Sequence, residues 1–580
     1  MRNAKIVCTL GPASNDPDTI RELVDAGMSV ARLNASHGTT ADREATIRHV
    51  READAASDST VAVLHDLPGP EIRTAPLAEP IELHTGEEVR FVKGETATPE
   101  EVGLSLSLDG VEPGDRVLLD DGRIETEVVS VDDGVRATIL DGGPLSGRKG
   151  VNVPGVDLGL DVITESDEAE LDLAAEAGVD FVAASFVRDA ADVYTISEAL
   201  EERGADIPVI AKIERADAVE NLDGIIDAAY GVMVARGDLG VECPLEEVPL
   251  IQKRIIRKCR NAGVPVITAT EMLDSMVHER RPTRAEATDV ANAVLDGTDA
   301  VMLSAETAVG DHPVRVVETM DRIVRDIEES EEYDEQREQR VPTTDGSKTD
   351  ALARSARFLA RDVDATAIVA ASESGYTVLK AAKYLPRVPI LGSTTSDRVR
   401  RKLALSGGVV PKYVPMRENT ADRVINSAVQ AALDAGVAES GDTVVALAGM
   451  MTELEGVDTT NMLKVHVAAE ILASGRTVVD GYASGPVYRI ESGDITGVPE
   501  GAILVIPPAF DDEFTGEVEK VAGIIDARAG MTSYVAMMAR ELGVPMVGDA
   551  VLPREIENGD AVTVDAQRGV VYEETVGTRD

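Results

Sequence analysis

The stretch Val232-Met-Val-Ala-Arg-Gly-Asp-Leu-Gly240 runs from four apolar residues straight into a cation, a glycine and a carboxylate. An adhesion loop built on Arg-Gly-Asp would be exposed and flanked by polar turn residues. Here the flank is apolar and preceded by Gly231. That pattern predicts a buried parallel strand whose C-terminal end carries function.

Working outward, the same kind of run recurs at residues 5–9, 30–36, 61–66, 181–186, 208–214, 265–270 and 300–306, with 232–238 among them. Helical patterns lie between. Asp16-Pro17 opens one whose Ile20, Leu23 and Val24 share a face, and Gly27 closes it. Eight strands alternating with helices predict an α/β fold built on a (β/α)8 TIM barrel. Seven of the runs end in groups capable of chemistry: Arg32, Asn34 and Ser36; Asp66; Ser185; Lys212 and Glu214; Arg236 and Asp238; Thr270 and Glu271; Ser304 and Glu306. Any one alone reads as a capping residue. Together they fall where such a barrel keeps its active site, at the C-terminal mouth.

The spacing is regular except between Asp66 and Phe181, where strand-like pieces at 116–122 and 135–140 carry Asp-Gly turns. We expect a small β-barrel lid inserted at residues 75–150, excluding water when closed, with the catalytic barrel at 1–74 and 151–335. The polar stretch 329–349 reads as a surface connection. Beyond it, strand-like runs at 367–371, 388–392 and 444–448 predict a second α/β domain over 345–475. Residues 476–580 follow as a further segment, expected on resemblance alone to be an α/β module of swivelling type.

The formal charge of −49 is dispersed along the chain, and the 56 basic residues comprise 13 lysines and 43 arginines. Few lysines, few aromatics and scattered carboxylates match proteins of salt-loving organisms, where ionic strength screens self-repulsion. The balance argues against a nucleic-acid partner, whose phosphates need a basic face. No run of eighteen apolar residues and no signal peptide are apparent, so no membrane span is expected. Cys8, Cys243 and Cys259 lack metal-ligand spacing and suit a reducing cytoplasm.

Glu214 and Asp238, on adjacent strands, suit a Mg²⁺ (or Mn²⁺) that also takes substrate oxygens. Arg32 and Lys212 suit a phosphoryl group. Gly237 lets backbone amides approach a carboxylate. Asn34, Ser36 and Asp66 are hard oxygen ligands with too little charge for a divalent ion, and suit a monovalent one. This chemistry fits a small anionic substrate and leaves a kinase, a metal-dependent aldolase and a lyase all open.

The segments Lys5-Ile-Val-Cys-Thr-Leu-Gly-Pro-Ala-Ser14, Ala31-Arg-Leu-Asn-Ala-Ser-His-Gly38, Gly69-Pro-Glu-Ile-Arg-Thr74, Lys149-Gly-Val-Asn-Val-Pro-Gly155, Ala211-Lys-Ile-Glu214, Met233-Val-Ala-Arg-Gly-Asp-Leu-Gly240, Arg281-Pro-Thr-Arg-Ala-Glu286 and Met302-Leu-Ser-Ala-Glu-Thr307 closely resemble pyruvate kinase, in order over about residues 1–475. The resemblance implies phosphoryl transfer from phosphoenolpyruvate to ADP, the last step of glycolysis, by an allosteric cytoplasmic homotetramer. It implies that Arg32 and Lys212 hold the phosphoryl group and that Glu214 and Asp238 ligate Mg²⁺. Backbone at Gly237 and Asp238 and the Thr270 hydroxyl would orient the substrate carboxylate. Asn34, Ser36, Asp66 and the Leu67 carbonyl match a K⁺ site, and His37, Arg73 and Lys149 match nucleotide-phosphate contacts. Thr270, with Ser304 and Glu306 behind a water, is the expected proton donor to carbon. One departure concerns K⁺. The chain reads Asp66-Leu-Pro-Gly-Pro-Glu71, mixing two family patterns, and Glu71 supplies no built-in cation, which favours K⁺ dependence.

In the second α/β domain, Ser372-Glu-Ser-Gly-Tyr-Thr377 matches the family's effector loop, although Glu373 would repel a second phosphate and an ordinary turn fits equally. Further on, Ala527-Arg-Ala-Gly-Met-Thr-Ser-Tyr-Val-Ala536 resembles the mobile phosphohistidine domain of phosphoenolpyruvate-using enzymes, with Tyr534 where the histidine stands. A phenol of pKa near 10 is a poor phosphoryl acceptor, so this module is expected to be catalytically silent. The same substitution counts against a phosphoenolpyruvate synthase.

Overall fold

The computed structural model describes residues 2–132, 134–415, 421–449, 460–469, 471–528 and 532–573. Backbone packing divides the chain into two units, one of Met1–Arg354, Ser372–Arg387 and Thr394–Tyr413, the other of Ser355–Ala371, Val388–Ser393 and Val414–Asp580.

The first unit is built on β1 (Lys5–Leu10), β2 (Val30–Asn34), β3 (Ala62–Asp66), β4 (Phe181–Ala184), β5 (Val209–Ile213), β6 (Gly231–Ala235), β7 (Val266–Ala269) and β8 (Ala300–Leu303). They close into a barrel in the order β1-β8-β7-β6-β5-β4-β3-β2. Every pairing is parallel. Helices cover its outside, so both faces of each strand are buried and each strand reads as a continuous apolar run. Alternate residues serve opposite faces. Val7, Val30, Leu64, Phe181, Ile210, Met233, Ile267 and Met302 fill the barrel interior. Ile6, Cys8, Ala31, Val63, Val182 and Ala211 pack against the helices. Continued to the strand ends, the inward parity falls on Thr9, Arg32, Asn34, Asp66, Ser185, Lys212, Glu214 and Ser304. A period of two thus selects the side chains that reach the mouth.

The helices keep ordinary end signals. Asp16 accepts from the N–H groups of Asp18 and Thr19 at the start of Pro17–Asp25, whose Ile20, Leu23 and Val24 are buried. Thr39 with Asp42, Thr164 with Asp167 and Thr283 with Glu286 form reciprocal capping boxes.

Two expectations are corrected. The run at 232–238 is not all strand. Pairing with β7 ends at Ala235 opposite Ala269, and Arg236-Gly237-Asp238 opens the helix Arg236–Glu242. The stretch 329–349 is not simply a connection, because it contains the helix Glu331–Gln339. Its acidic surface hides two anchors one turn apart, Tyr333 and Arg337, each 5% exposed.

Between β3 and β4 lies a seven-stranded sheet in the order Ile72–Arg73, Gly150–Asn152, Arg116–Leu119, Ile124–Ser130, Val135–Asp141, Glu88–Lys93, Glu101–Leu104. It has its own core of Phe91, Val117, Leu119, Ile124 and Ile139. The second unit carries parallel strands Ile390–Thr394, Ala367–Ala371 and Thr443–Ala448, with Met462–Val467 antiparallel at one side. It also holds an eight-stranded mixed sheet formed between Ile471 and Glu573. No helix among the described residues is long and apolar enough to cross a membrane.

Candidate active site

Charges from β2, β3 and β5 converge at the mouth. Lys212 Nζ lies 2.8 Å from Glu214 Oε1 and 3.4 Å from Asp66 Oδ1, and donates to Ser185 Oγ at 2.7 Å. Ser185 in turn donates to the Leu67 carbonyl at 2.7 Å. Arg32 Nε donates to Asp66 Oδ2 at 2.6 Å, and its Nη1 donates to Thr9 Oγ1 at 2.9 Å. Burial alone would strip the Lys212 proton, but Asp66 and Glu214 outweigh it and raise its pKa above the ordinary lysine value. Burial likewise opposes the Asp66 charge, and Lys212 and Arg32 hold that carboxyl below its usual range. Lys212 is therefore a fixed ammonium.

Glu214, 1% exposed, also accepts the Phe186 N–H at 2.6 Å. Burial, then the neighbouring Asp238 charge, push its pKa up despite Lys212. Asp238 is raised by burial and by Glu71 and Asp121. The buried Glu214 and half-buried Asp238, both pressed upward by their surroundings, form a donor pair that a divalent cation would relieve. Among the described residues no third acidic, histidine or cysteine side chain completes an all-protein cage, which fits a Mg²⁺ finishing its shell with water and substrate.

The tips of β6 and β7 approach closely. A Cβ at Gly237 would lie 2.9 Å from Thr270 Cγ2. Thr270 has φ +74°, a real strain for a β-branched residue. Arg236 holds it there. Its Nε donates to the Ala269 carbonyl at 2.9 Å, Nη2 donates to the Thr270 carbonyl at 2.6 Å, and Nη1 pairs with Asp289 at 2.6 Å. The Arg of Arg-Gly-Asp is thus a clamp on the next strand's tip rather than an adhesive group. Glu306 is 1% exposed and accepts the N–H groups of Leu273 at 3.1 Å and Ser304 at 2.6 Å. It ties the turn after β7 to the end of β8. Its pKa is raised by burial.

Of the monovalent-ion group, Asp66 Oδ1 is buried without a hydrogen-bond partner among the described residues. The Leu67 carbonyl stands beside it in sequence. Asn34 Oδ1 accepts the Ser36 N–H at 3.1 Å, and Ser36 is exposed. An ionised oxygen whose one polar contact among the described residues is the 3.4 Å ion pair with Lys212 keeps room for a monovalent cation, and its chemistry fits K⁺. Gly69 has φ +72°, and a Cβ there would strike Ser185 Cβ at 2.8 Å, so only glycine lets this turn pass the lysine cluster.

Arg73 and Lys149 lie at the lid stems, outside the charge cluster. Arg73 pairs with Glu71 at 2.6 Å and donates to the Arg148 carbonyl at 3.0 Å. Lys149 pairs with Asp120 at 2.7 Å. Thr74 and Lys149 pair through backbone and hydroxyl at 2.8 Å. The exposed His37 stands on the turn after β2. Thr9 escapes sequence reasoning as a site residue because a threonine ending an apolar strand looks ordinary. Its inward parity, shared with Arg32, is the available signal.

The loop at 372–377 is a closed turn. Ser372 Oγ accepts the N–H groups of Gly375 at 3.1 Å and Thr377 at 3.4 Å. Ala529, Gly530 and Met531 of the C-terminal motif lie outside the described residues. Tyr534 opens the helix Tyr534–Leu542 under a Ser533 cap, 41% exposed and 6.1 Å from the Phe514 ring.

Three family descriptions match: the pyruvate kinase barrel domain over residues 1–317, the pyruvate kinase alpha/beta domain over 350–466, and the mobile domain of PEP-utilising enzymes over 498–569. The chain is 44% identical to a pyruvate kinase of Geobacillus stearothermophilus over 98% of each chain. It is 40% identical to one of Staphylococcus aureus over 99% of each. A crystal structure of a pyruvate kinase from Cryptosporidium parvum superposes with a TM-score of 0.74 at 37% identity, covering 80% of this chain and 96% of that one. With these likenesses and the charge geometry of its mouth, the chain belongs to the pyruvate kinase family.

Proposed function

We propose that the barrel mouth transfers the phosphoryl group of phosphoenolpyruvate to ADP, giving pyruvate and ATP in the last step of glycolysis. The observation that carries this reading is the Lys212 ammonium, held between Asp66 and Glu214 on the same wall as Arg32. Such transfer depends on positioning and electrostatics, which a site rich in charge supplies. Lys212 and Arg32 neutralise the migrating group. The backbone of Gly237 and Asp238 and the Thr270 hydroxyl orient the substrate carboxylate. Thr270 delivers the proton to carbon, with Ser304 and Glu306 behind a water, Glu306 also fixing the turn after β7.

Glu214 and Asp238 would hold Mg²⁺ (or Mn²⁺), and Asn34, Ser36, Asp66 and the Leu67 carbonyl would hold K⁺. When bound, these ions supply positive charge against the phosphate and carboxylate oxygens. His37, Arg73 and Lys149 take the nucleotide phosphates, the last two after release from Glu71 and Asp120. We assign 1–74 and 151–335 to the catalytic barrel, 75–150 to the lid, 345–475 to an effector-type domain and 476–580 to a phosphohistidine-like module made silent by Tyr534. The enzyme works as a cytoplasmic homotetramer under allosteric control, and its charge of −49 is an adaptation to high salt.

An assay of pyruvate release tests the reading. Turnover should require phosphoenolpyruvate, ADP and Mg²⁺ together. Pyruvate release at the same rate without ADP would point to a phosphatase instead.

A further inference from the structure

Behind the mouth, a second buried charge cluster lies between the helices Thr40–Ala56 and Glu165–Ala177. Glu170, 4% exposed, accepts Arg43 Nε at 2.9 Å on Oε2 and Arg43 Nη2 on Oε1. It also accepts Thr40 Oγ1 at 3.1 Å, and His65 Nε2 lies 2.9 Å from Oε2. His65 has the outward parity on β3, opposite to Asp66, which turns a fully buried imidazole toward these helices. The remaining Arg43 nitrogen, Nη1, donates to the His37 carbonyl at 2.7 Å. One turn before Glu170, Asp167 accepts the Gly69 N–H at 3.0 Å. One helix thus grips the turns after both β2 and β3.

A buried charge cluster is poor evidence for stability, since apolar side chains of equal volume often do as well. What this one achieves is placement. The turn after β2 is fixed at one end by Asn34 Oδ1 on the Ser36 N–H and at the other by the Thr39–Asp42 box. Arg43 holds its middle from beneath, while the Ser36 and His37 side chains stay exposed.

We propose that Arg43, set by Glu170 and His65, is a positioning residue for the nucleoside diphosphate. It fixes the His37 turn from below and sets ADP affinity without touching ADP. The inference rests on the reading of His37 as a nucleotide contact.

The test is steady-state kinetics on the full chain with saturating Mg²⁺ and K⁺, varying each substrate separately. Arg43→Lys keeps one ion pair with Glu170 but loses the three-way fork. It should raise the KM for ADP about tenfold, leaving the melting temperature, kcat and the KM for phosphoenolpyruvate near wild type. His37→Ala should raise the same constant, and the double variant should add little to it. If His37→Ala raises the KM for ADP and Arg43→Lys does not, Arg43 is merely structural and the proposal fails. It fails equally if Arg43→Lys degrades both substrates' constants and the melting temperature together. If His37→Ala leaves the KM for ADP unchanged, the nucleotide reading of His37 fails first and the proposal with it.

Discussion

Lys212 and Lys5 occupy opposite ends of one barrel, and their surroundings push them in opposite directions. Lys212 ends β5 at the mouth, its side chain 12% exposed, between Asp66 and Glu214. Lys5 begins β1 at the base, where its Nζ donates to the Val409 carbonyl at 2.6 Å. Its side chain keeps some exposure, yet burial around the ammonium, aided by Arg2, pulls its pKa down to about 8, against the weaker pull of Glu328 and Asp299. At the mouth, carboxylates keep a cation charged. At the base a carbonyl suffices, and the charge is a burden. That contrast is what separates a chemical face from a structural one in this architecture.

The mouth is most sensitive at Lys212. Lys212→Met should lower kcat by at least about 10³-fold in a pyruvate-release assay, while the chain remains folded by far-UV circular dichroism. Retained turnover would remove the lysine from the mechanism. Arg236→Met should cost about 10²-fold in kcat, the scale expected when a strained residue that touches substrate, such as Thr270, loses its placement. Measured kcat within a few-fold of wild type would show that Thr270 holds its conformation unaided.

Much of the mouth was legible because strand parity is strict. Once Val30, Leu64 and Ile210 face inward, Arg32, Asp66 and Lys212 must follow. The Arg236 clamp was not legible, because its partners, the Ala269 and Thr270 carbonyls and Asp289, come from other elements. The same holds for Arg43, Glu170 and His65, which are far apart in the chain and share no spacing. The helix Glu331–Gln339 was hidden for a different reason. Seven of its nine residues are polar or acidic surface, and only Tyr333 and Arg337 pack inward.

A milder perturbation leaves every side chain in place. Asp66 Oδ1 makes no hydrogen bond among the described residues beyond its 3.4 Å ion pair with Lys212, so a K⁺ held there, as proposed, would add to the mouth's charge balance. One positive charge about 10 Å from the migrating phosphate, at an effective dielectric near 20, is worth roughly 1.5 kcal/mol, or about tenfold in rate. Replacing K⁺ by tetramethylammonium at matched ionic strength should therefore slow turnover about tenfold. Undiminished turnover would show that the mouth works without the ion.

The smallest effect belongs to the base. The folded pKa of Lys5, about 8, lies below the ordinary lysine value of 10.5. Below pH 8 both folded and unfolded chains carry the proton, and the folded state bears the full burial penalty. Between pH 8 and 10.5 the unfolded chain still binds a proton that the folded chain has released, so this residue makes stability rise with pH across that window. Cys8 and Cys259 act in the opposite sense, since burial keeps their thiols protonated where the unfolded chain ionises. The informative quantity is therefore the difference between wild type and Lys5→Met in urea unfolding from about pH 7 up to 10.5. Methionine loses the bond to Val409, which costs about 1 kcal/mol, so the two proteins should differ little at about pH 7. From pH 8 upward wild type should gain about 1–2 kcal/mol on the variant, the partly exposed side chain keeping the gain below the full shift. A flat difference across that window would mean that the base holds its lysine charged as firmly as the mouth does, and the contrast between the two ends would disappear.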